Sequence, residues 1–280
     1  MKKLLITGCN GQLGRALNRE YEGEQVQIVN TDVPELDVTD QEAVMRLVRE
    51  LKPDVIMNCG AMTAVDLCES EYEKAFRINA LGPRNLSIAA RETGAKLFQI
   101  STDYVFSGDA DTPYVETDAP CPQSVYGSTK LAGERFAQDF AGRYFIIRTA
   151  WLYGEGKNFV ATMLRLSESN DKVRVVADQV GSPTSAAELA KMMHLLEPTD
   201  NYGVFHGTCE GQCSWAEFAE EVFRQAGKHT AVEKITTEEF GAAAKRPAYS
   251  VLDNQMLRLT TDFKMQQWQD ALSVYLKEIL

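Results

Sequence analysis

Histidine is almost missing from this chain: His194, His206 and His229 are the only three among 280 residues, and they stand far apart. The six cysteines are scattered too, with only Cys209 and Cys213 close together. Zinc and other thiolate or imidazole sites need such ligands repeated at short spacing, so no metal is expected and the thiols read as free. Basic residues are also outnumbered, 29 Lys and Arg against 40 Asp and Glu, for a net charge of −11. Nucleic-acid binding rests on cations that neutralise phosphates. Nucleic acid is therefore not an expected partner, and any phosphate site must be local. Long apolar runs are lacking as well. Leu4-Leu5-Ile6 follows Met-Lys-Lys but is cut short at Gly8, well below a signal-peptide core or the roughly 20 residues of a membrane span. The expectation is a cytoplasmic protein with no membrane partner.

What is present is ample core material, 44% hydrophobic against 25% charged. Short β-branched runs alternate with amphipathic stretches from the N-terminus: Leu4–Thr7, a helix from about Gly11, then Val26–Val29. That alternation is the βαβ pattern. Thr39 and Glu42 have capping-box spacing ahead of Val44, Leu47, Val48 and Leu51, and Pro53 closes that helix. Strands are predicted at Asp54–Asn58, Lys96–Ser101 and Tyr144–Thr149. Helices are predicted over Tyr72–Thr93, interrupted near Gly82-Pro83, and over Val125–Phe140. Beyond Trp151 the pattern loosens into helices near Asn158–Ser167, Ser185–Leu196 and Ser214–Ala226, the last with its own Ser214/Glu217 box, and short strands at Val173–Val176 and Gly203–His206. The fold class expected is α/β: a Rossmann-type doubly wound parallel sheet over 1–150, with a smaller, mixed α/β substrate-binding part over 151–280 packed onto it. The chain is free to cross between the two.

Two constellations carry chemistry. Gly8-Cys9-Asn10-Gly11-Gln12-Leu13-Gly14 lies at the first strand-to-helix turn, where glycines let backbone N–H groups approach a pyrophosphate at the positive end of a helix. Asp32 ends the second strand; a carboxylate there suits the hydroxyls of an adenine ribose, and a solvated turn residue is the competing reading. The second constellation is Tyr126-Gly127-Ser128-Thr129-Lys130, with Ser101-Thr102-Asp103 upstream at a strand end. Tyrosine and lysine four apart share a helix face, so an ammonium can support a phenolate and make the phenol a usable proton donor.

On these residues the chain resembles the extended branch of the short-chain dehydrogenase/reductase superfamily. Within that branch it resembles the dTDP-4-dehydrorhamnose reductase family through Asn58-Cys59-Gly60-Ala61-Met62-Thr63-Ala64-Val65-Asp66, Ser101-Thr102-Asp103-Tyr104-Val105-Phe106 and Arg148-Thr149-Ala150-Trp151-Leu152-Tyr153-Gly154. Thinner matches run through Asn158-Phe159-Val160, Asp178 to Thr184, and Arg246-Pro247. The resemblance implies NADPH or NADH as cofactor and a dTDP-sugar as partner. The reaction implied is reduction of the C4 ketone of dTDP-4-dehydro-6-deoxy-L-mannose. Residue by residue, it implies that Gly11, Gln12 and Leu13 meet the pyrophosphate, with Gly8 and Gly14 also in the cofactor site, Asp32 at the ribose, and Asp37 and Val38 near the adenine. Ala61, Met62 and Thr63 would line the cofactor further in. Thr102, Tyr126 and Lys130 form the implied catalytic set, the last two also touching cofactor. Thr102, Asp103, Trp151 and Arg246 are implied substrate contacts; a core aromatic is the alternative for Trp151, and a surface ion pair for Arg246. Some members of the family carry a glutamate after the third glycine that joins a metal-bridged dimer. Arg15 and Ala16 follow Gly14 here, which argues against a metal and leaves monomer or homodimer open.

Two other functions share parts of this pattern. An epimerase or 4,6-dehydratase of the same branch shares the loop and the Tyr/Lys pair, although dehydratases carry Asp-Glu where this chain has Asp103-Tyr104. The regulatory subunit of methionine adenosyltransferase is similar to this family too and would use the fold for binding alone.

Overall fold

The apolar runs become strands because both of their faces are buried. Leu4, Leu5 and Ile6 are fully inaccessible, with Leu4 and Ile6 in one core cluster and Leu5 in another, as expected for a parallel sheet covered on both sides. The computed structural model describes residues 1–280. Its main sheet contains β1 (Lys2–Thr7), β2 (Val26–Thr31), β3 (Val55–Asn58), β4 (Lys96–Thr102), β5 (Tyr144–Thr149) and the strand Gly203–His206. Across the sheet the order is β2, β1, β3, β4, β5, then Gly203–His206, and every neighbouring pair is parallel. From β1 the chain moves outward to β2 and then returns to the other side of β1 with β3. The switch point therefore lies between β1 and β3, where a crevice opens at their carboxyl ends.

Helix α1 (Gln12–Glu20) and the helix Ala186–Leu196 cover one face, sharing a core with Phe98, Phe145 and Phe205. Helix α2 (Gln41–Leu51) and the helices Gly82–Thr93 and Val125–Phe140 cover the other, around Ile56, Leu86 and Ile146. The cap of α2 differs from the sequence expectation. Asp40, not Thr39, accepts the N–H of Ala43, since a carboxylate one residue later reaches the open end of the helix equally well. The Ser214/Glu217 box does form.

The long helical region departs from regularity one turn earlier than Gly82-Pro83. Residues Tyr72–Phe76 lead into a π-helical turn, Arg77–Leu81, before the regular helix Gly82–Thr93. Pro83 has no N–H to return to the carbonyl of Asn79, which loosens the turn behind it. Asn79 uses its freedom. Its side chain accepts from the Met62 N–H at 2.8 Å and donates to the Met62 carbonyl at 3.1 Å, tying the loop after β3 to this helix.

Residues beyond 150 serve two places. The helix Ala186–Leu196 and the strand Gly203–His206 complete the main sheet, while Phe159–Ser167, Trp215–Gln225 and Trp268–Ile279 build a second layer with the parallel pair Lys172–Val176 and Ala231–Ile235. Phe218 and Trp268 of that layer belong to the same continuous core as Leu4 and Phe98. The parts expected over 1–150 and 151–280 thus share one sheet and one core. No helix is long and apolar enough to cross a membrane.

Candidate active site

The glycine loop begins as β1 ends. Gly8 has φ +66°, and a Cβ there would lie 2.6 Å from the Gly60 nitrogen, so only glycine lets the loop after β1 touch the loop after β3. Gly11 is the N-cap of α1 and supplies no capping side chain, leaving the first N–H groups of that helix to meet an anion. Gly14 is buried in α1 against the loop backbone. A cleft of about 460 Å³ runs from Gly8 and Gly11 past Asp32, Asp37 and Val38 to Ala61. Asp32 shapes the loop as well as facing the cleft: it accepts from the N–H of Asn10 at 3.1 Å and of Val33 at 2.9 Å. Lys74 and Arg77 stand in the same wall. Sequence reasoning missed both, because neither belongs to a motif and their place in the wall depends on how the segment Tyr72–Leu81 packs.

Gly11, Cys59 and Ala61 also border a second cavity, of about 590 Å³, which contains Gln12, Leu13, Thr63, Thr102, Asp103, Tyr126, Lys130 and Trp151. Met62 lines neither space; it is buried beside Tyr126 and Cys68. Thr102 ends β4 and Tyr126 opens the helix Val125–Phe140. A Cβ at Gly127 would lie 2.1 Å from the Tyr104 carbonyl, so glycine after the tyrosine lets this helix press on the turn that follows Thr102. The Thr102 hydroxyl donates to Asp103 at 2.8 Å and lies beside the Tyr126 phenol. Lys130 is buried, with Nζ donating to the Ile100 carbonyl at 2.6 Å.

Burial dominates the electrostatics of this group. It pushes the Tyr126 phenol up, with the Thr102 hydroxyl opposing, so the phenol holds its proton. Lys130 was expected to lower it; instead the ammonium is turned to Ile100. Burial pushes Lys130 itself down to about 8, against the opposing charge of Glu134. Asp103 is pushed up to about 6 by burial, against the neighbouring Ser250 and Thr102 hydroxyls, of which Thr102 donates to it.

Trp151 is one of only two non-glycine residues at positive φ, at 49°, a conformation that persists only when packing enforces it. Its indole stacks on Trp215 at 3.5 Å between centroids, and Gly181 leaves room for it, since a Cβ there would lie 2.5 Å from the ring. Trp215 and Thr149 also line this cavity; Trp215, lying 64 positions beyond Trp151, left no local signal in the sequence. Arg246 lines neither space. Its guanidinium forms a two-pronged pair with Asp66 at 3.1 and 2.9 Å, which ties the segment before Pro247 to the helix Val65–Ser70. No group of three or more His, Cys, Asp or Glu side chains is placed to hold a metal ion.

A crevice beside the glycine loop thus shares lining residues with a cavity that holds Thr102, Tyr126 and Lys130. A family model described as the RmlD substrate binding domain matches residues 1–280. The chain belongs to the RmlD, or dTDP-4-dehydrorhamnose reductase, family. A dTDP-4-dehydrorhamnose reductase from Clostridium acetobutylicum superimposes with TM-score 0.98 at 50% identity, over 99% of each chain. One from Bacillus anthracis, solved in complex with NADP, superimposes with TM-score 0.97 at 45% identity, over 99% of this chain and 100% of that one. Among curated relatives, the spore coat polysaccharide biosynthesis protein SpsK of Bacillus subtilis is 38% identical over 99% of this chain and 98% of its own. For this member of the family, every part of the two spaces has a counterpart role to test: a backbone cradle, a proton donor, a buried ammonium and an aromatic wall.

Proposed function

We infer that the chain is an oxidoreductase that reduces the C4 ketone of dTDP-4-dehydro-6-deoxy-L-mannose to dTDP-L-rhamnose with NADPH or NADH. The observation that carries the reading is the meeting of Thr102, Tyr126 and Lys130 in a cavity continuous with the glycine cleft. Relatives that bear the name of this activity, one of them holding NADP, support it.

The residues present fit a dinucleotide. The cradle at Gly8 excludes a Cβ, the α1 N-terminus is uncapped, and the buried Gln12 Oε1 has no partner in the protein. Gly11, Gln12 and Leu13 would hold the pyrophosphate, Asp32 the adenine ribose, and Lys130 the nicotinamide ribose. A bound reduced nicotinamide supplies the hydride that C4 accepts. The protein's part is to hold the ketone and to provide the proton. Tyr126 would aim its hydroxyl at the C4 oxygen, where charge builds as the carbonyl is reduced, and Thr102 would join it once its own hydroxyl turns from Asp103. Tyr126 Oη gives its proton to that oxygen and completes the new hydroxyl. Lys130, as ammonium, would stabilise the phenolate left behind once it turns from the Ile100 carbonyl toward Tyr126, until solvent reprotonates the phenol. Asp103 and Trp151 contact the sugar. A role for Arg246 toward the diphosphate requires that it leave Asp66. We further propose that the enzyme works in the cytoplasm, as a monomer or homodimer.

The test is an assay of purified protein with dTDP-4-dehydrorhamnose and each reduced nicotinamide, read by loss of nicotinamide absorbance. One cofactor oxidised per sugar reduced is the expected result. Protein that binds NADPH yet reduces no nucleotide-sugar would be a regulatory subunit instead.

A further inference from the structure

One turn beyond Lys130 the same helix carries a second buried charge. Glu134 is 1% exposed, and the Arg148 guanidinium grips it in parallel, Nε to Oε1 at 2.9 Å and Nη2 to Oε2 at 2.7 Å. The Ser101 hydroxyl donates to the same carboxylate. Ser101 and Arg148 are register partners on β4 and β5, just before the pair Thr102 and Thr149 that ends both strands. Arg148 reaches onward to the Glu116 carbonyl at 3.5 Å and lies over the Phe106 ring. One carboxylate thus joins the catalytic helix to the two strands beneath it, at the level where Thr102 emerges.

A buried ion pair of this kind contributes little net stability compared with apolar residues of the same shape. Its use has to be sought in what it places. We propose that Glu134 is a positioning residue for the reduction: it fixes the strand end that carries Thr102 against the helix that carries Tyr126 and Lys130, and it is the anion that faces Lys130 from inside the protein. The inference rests on the reductase reading given above.

The groups around Lys130 make the assignment specific. Its own helix supplies Tyr126 and Glu134; β4 supplies the Ile100 carbonyl and the Ser101 hydroxyl; the end of β3 supplies the Cys59 thiol, which burial pushes up to about 12 and so keeps neutral. Arg148 on β5 lies behind Glu134. Of these groups, Glu134 alone is a carboxylate, paired with the Arg148 guanidinium, and its charge opposes the desolvation that lowers Lys130. Removing it lets the ammonium lose its proton at lower pH, and the support for the Tyr126 phenolate goes with it.

The experiment measures kcat against pH for wild type, Glu134→Gln, Glu134→Asp and the double variant Glu134→Gln/Arg148→Met, with NADPH affinity at pH 6.5 alongside. Wild-type turnover is established first, so an inert wild type tells against the reductase reading and not against Glu134. In the double variant the alkaline fall of kcat should move down by about one pH unit, and kcat at pH 7.5 should drop about threefold. NADPH affinity at pH 6.5 should stay within about threefold. Glu134→Gln alone should shift further, because it leaves Arg148 unpaired, whereas Glu134→Asp should restore the wild-type limb. An unmoved alkaline limb with wild-type kcat in the double variant overturns the proposal and makes the pair a packing feature. Should the glutamine variants fail to fold, Ser101→Ala decides, since it leaves both charges in place. A several-fold lower kcat with an unchanged limb then supports the positioning role, and wild-type kcat overturns it.

Discussion

The two ends of the cleft are built by different means. At Gly8, Gly11 and Gly60 the cleft wall is backbone, where the loops after β1 and β3 touch, and Asp32 from the end of β2 accepts two main-chain N–H groups beside them. Around Tyr126 the wall is side chains drawn from β4, the helix Val125–Phe140, the loop after β5 and the helix that starts at Trp215. A backbone wall tolerates most changes of side chain but no added Cβ at its contact points. A side-chain wall depends on each group's charge and on packing far away in sequence. Substitutions at the two ends should therefore fail in different kinetic constants.

The largest effect is expected from Tyr126→Phe, which keeps the ring and removes the proton donor. General acid catalysis is worth roughly 10²–10⁴-fold, so kcat should fall by about that factor while NADPH affinity, measured by fluorescence titration, hardly changes. A rate near wild type would identify another donor.

At the opposite end Gly8→Ala should spare the chemistry of bound substrate and damage cofactor binding. The added methyl meets the Gly60 backbone at 2.6 Å and the φ of +66° disfavours it, a strain of about 1–3 kcal/mol. NADPH affinity should weaken by roughly 10–100-fold, with some loss of thermal stability. If both were unchanged, the close approach of the two loops would not matter to the cradle.

Gly181→Ala is the substrate-end counterpart. It pushes on the Trp151 indole, so KM for the dTDP-sugar should rise by about tenfold at constant NADPH affinity, a pattern that marks lost ground-state binding. A change in cofactor affinity instead would remove the distinction between the two ends.

The smallest effect concerns stability. Asp103 is raised from 3.8 to about 6 by burial. Its ionised form therefore costs folding free energy, a cost that grows as pH rises from the unfolded value to about 6, stays constant above that, and vanishes below about 4. Asp103→Asn should raise stability at pH 7.5 by about 1–2 kcal/mol, or a few degrees in Tm, with a smaller gain at pH 5 and with lost activity. A stability loss at pH 7.5 would mean that its bond from Thr102 outweighs desolvation.

Much of this architecture could be read from local pattern. Apolar runs of four to seven residues marked β1 to β5, and the loop from Gly8 to Gly14 and the spacing from Tyr126 to Lys130 marked the two ends of the cleft, because each rests on neighbours within a turn or two. The exceptions have long-range causes. The cap of α2 moved from Thr39 to Asp40, two good caps side by side that local sequence cannot rank. Arg246 turned to Asp66, 180 positions away. Lys74 and Arg77 line the cleft from the helix Tyr72–Phe76 and the start of the π-turn after it, a placement set by packing against the loops after β2 and β3. Trp215 and Glu134 carried no motif at all; one gains its place by stacking on Trp151, the other by pairing with Arg148.

What the sequence alone determined is the set of parts: a parallel sheet with the glycine turn at its first strand, and a tyrosine and lysine on one helix face. Hydrophobic periodicity and backbone sterics act over a few residues, so they are legible without a partner. Only the tertiary structure decided which carbonyl holds Lys130, that burial keeps the Tyr126 proton in place, and that Trp151 is held at positive φ against Gly181 and Trp215. Desolvation and side-chain contact depend on what packs from elsewhere in the chain, and that is settled only when the whole core closes.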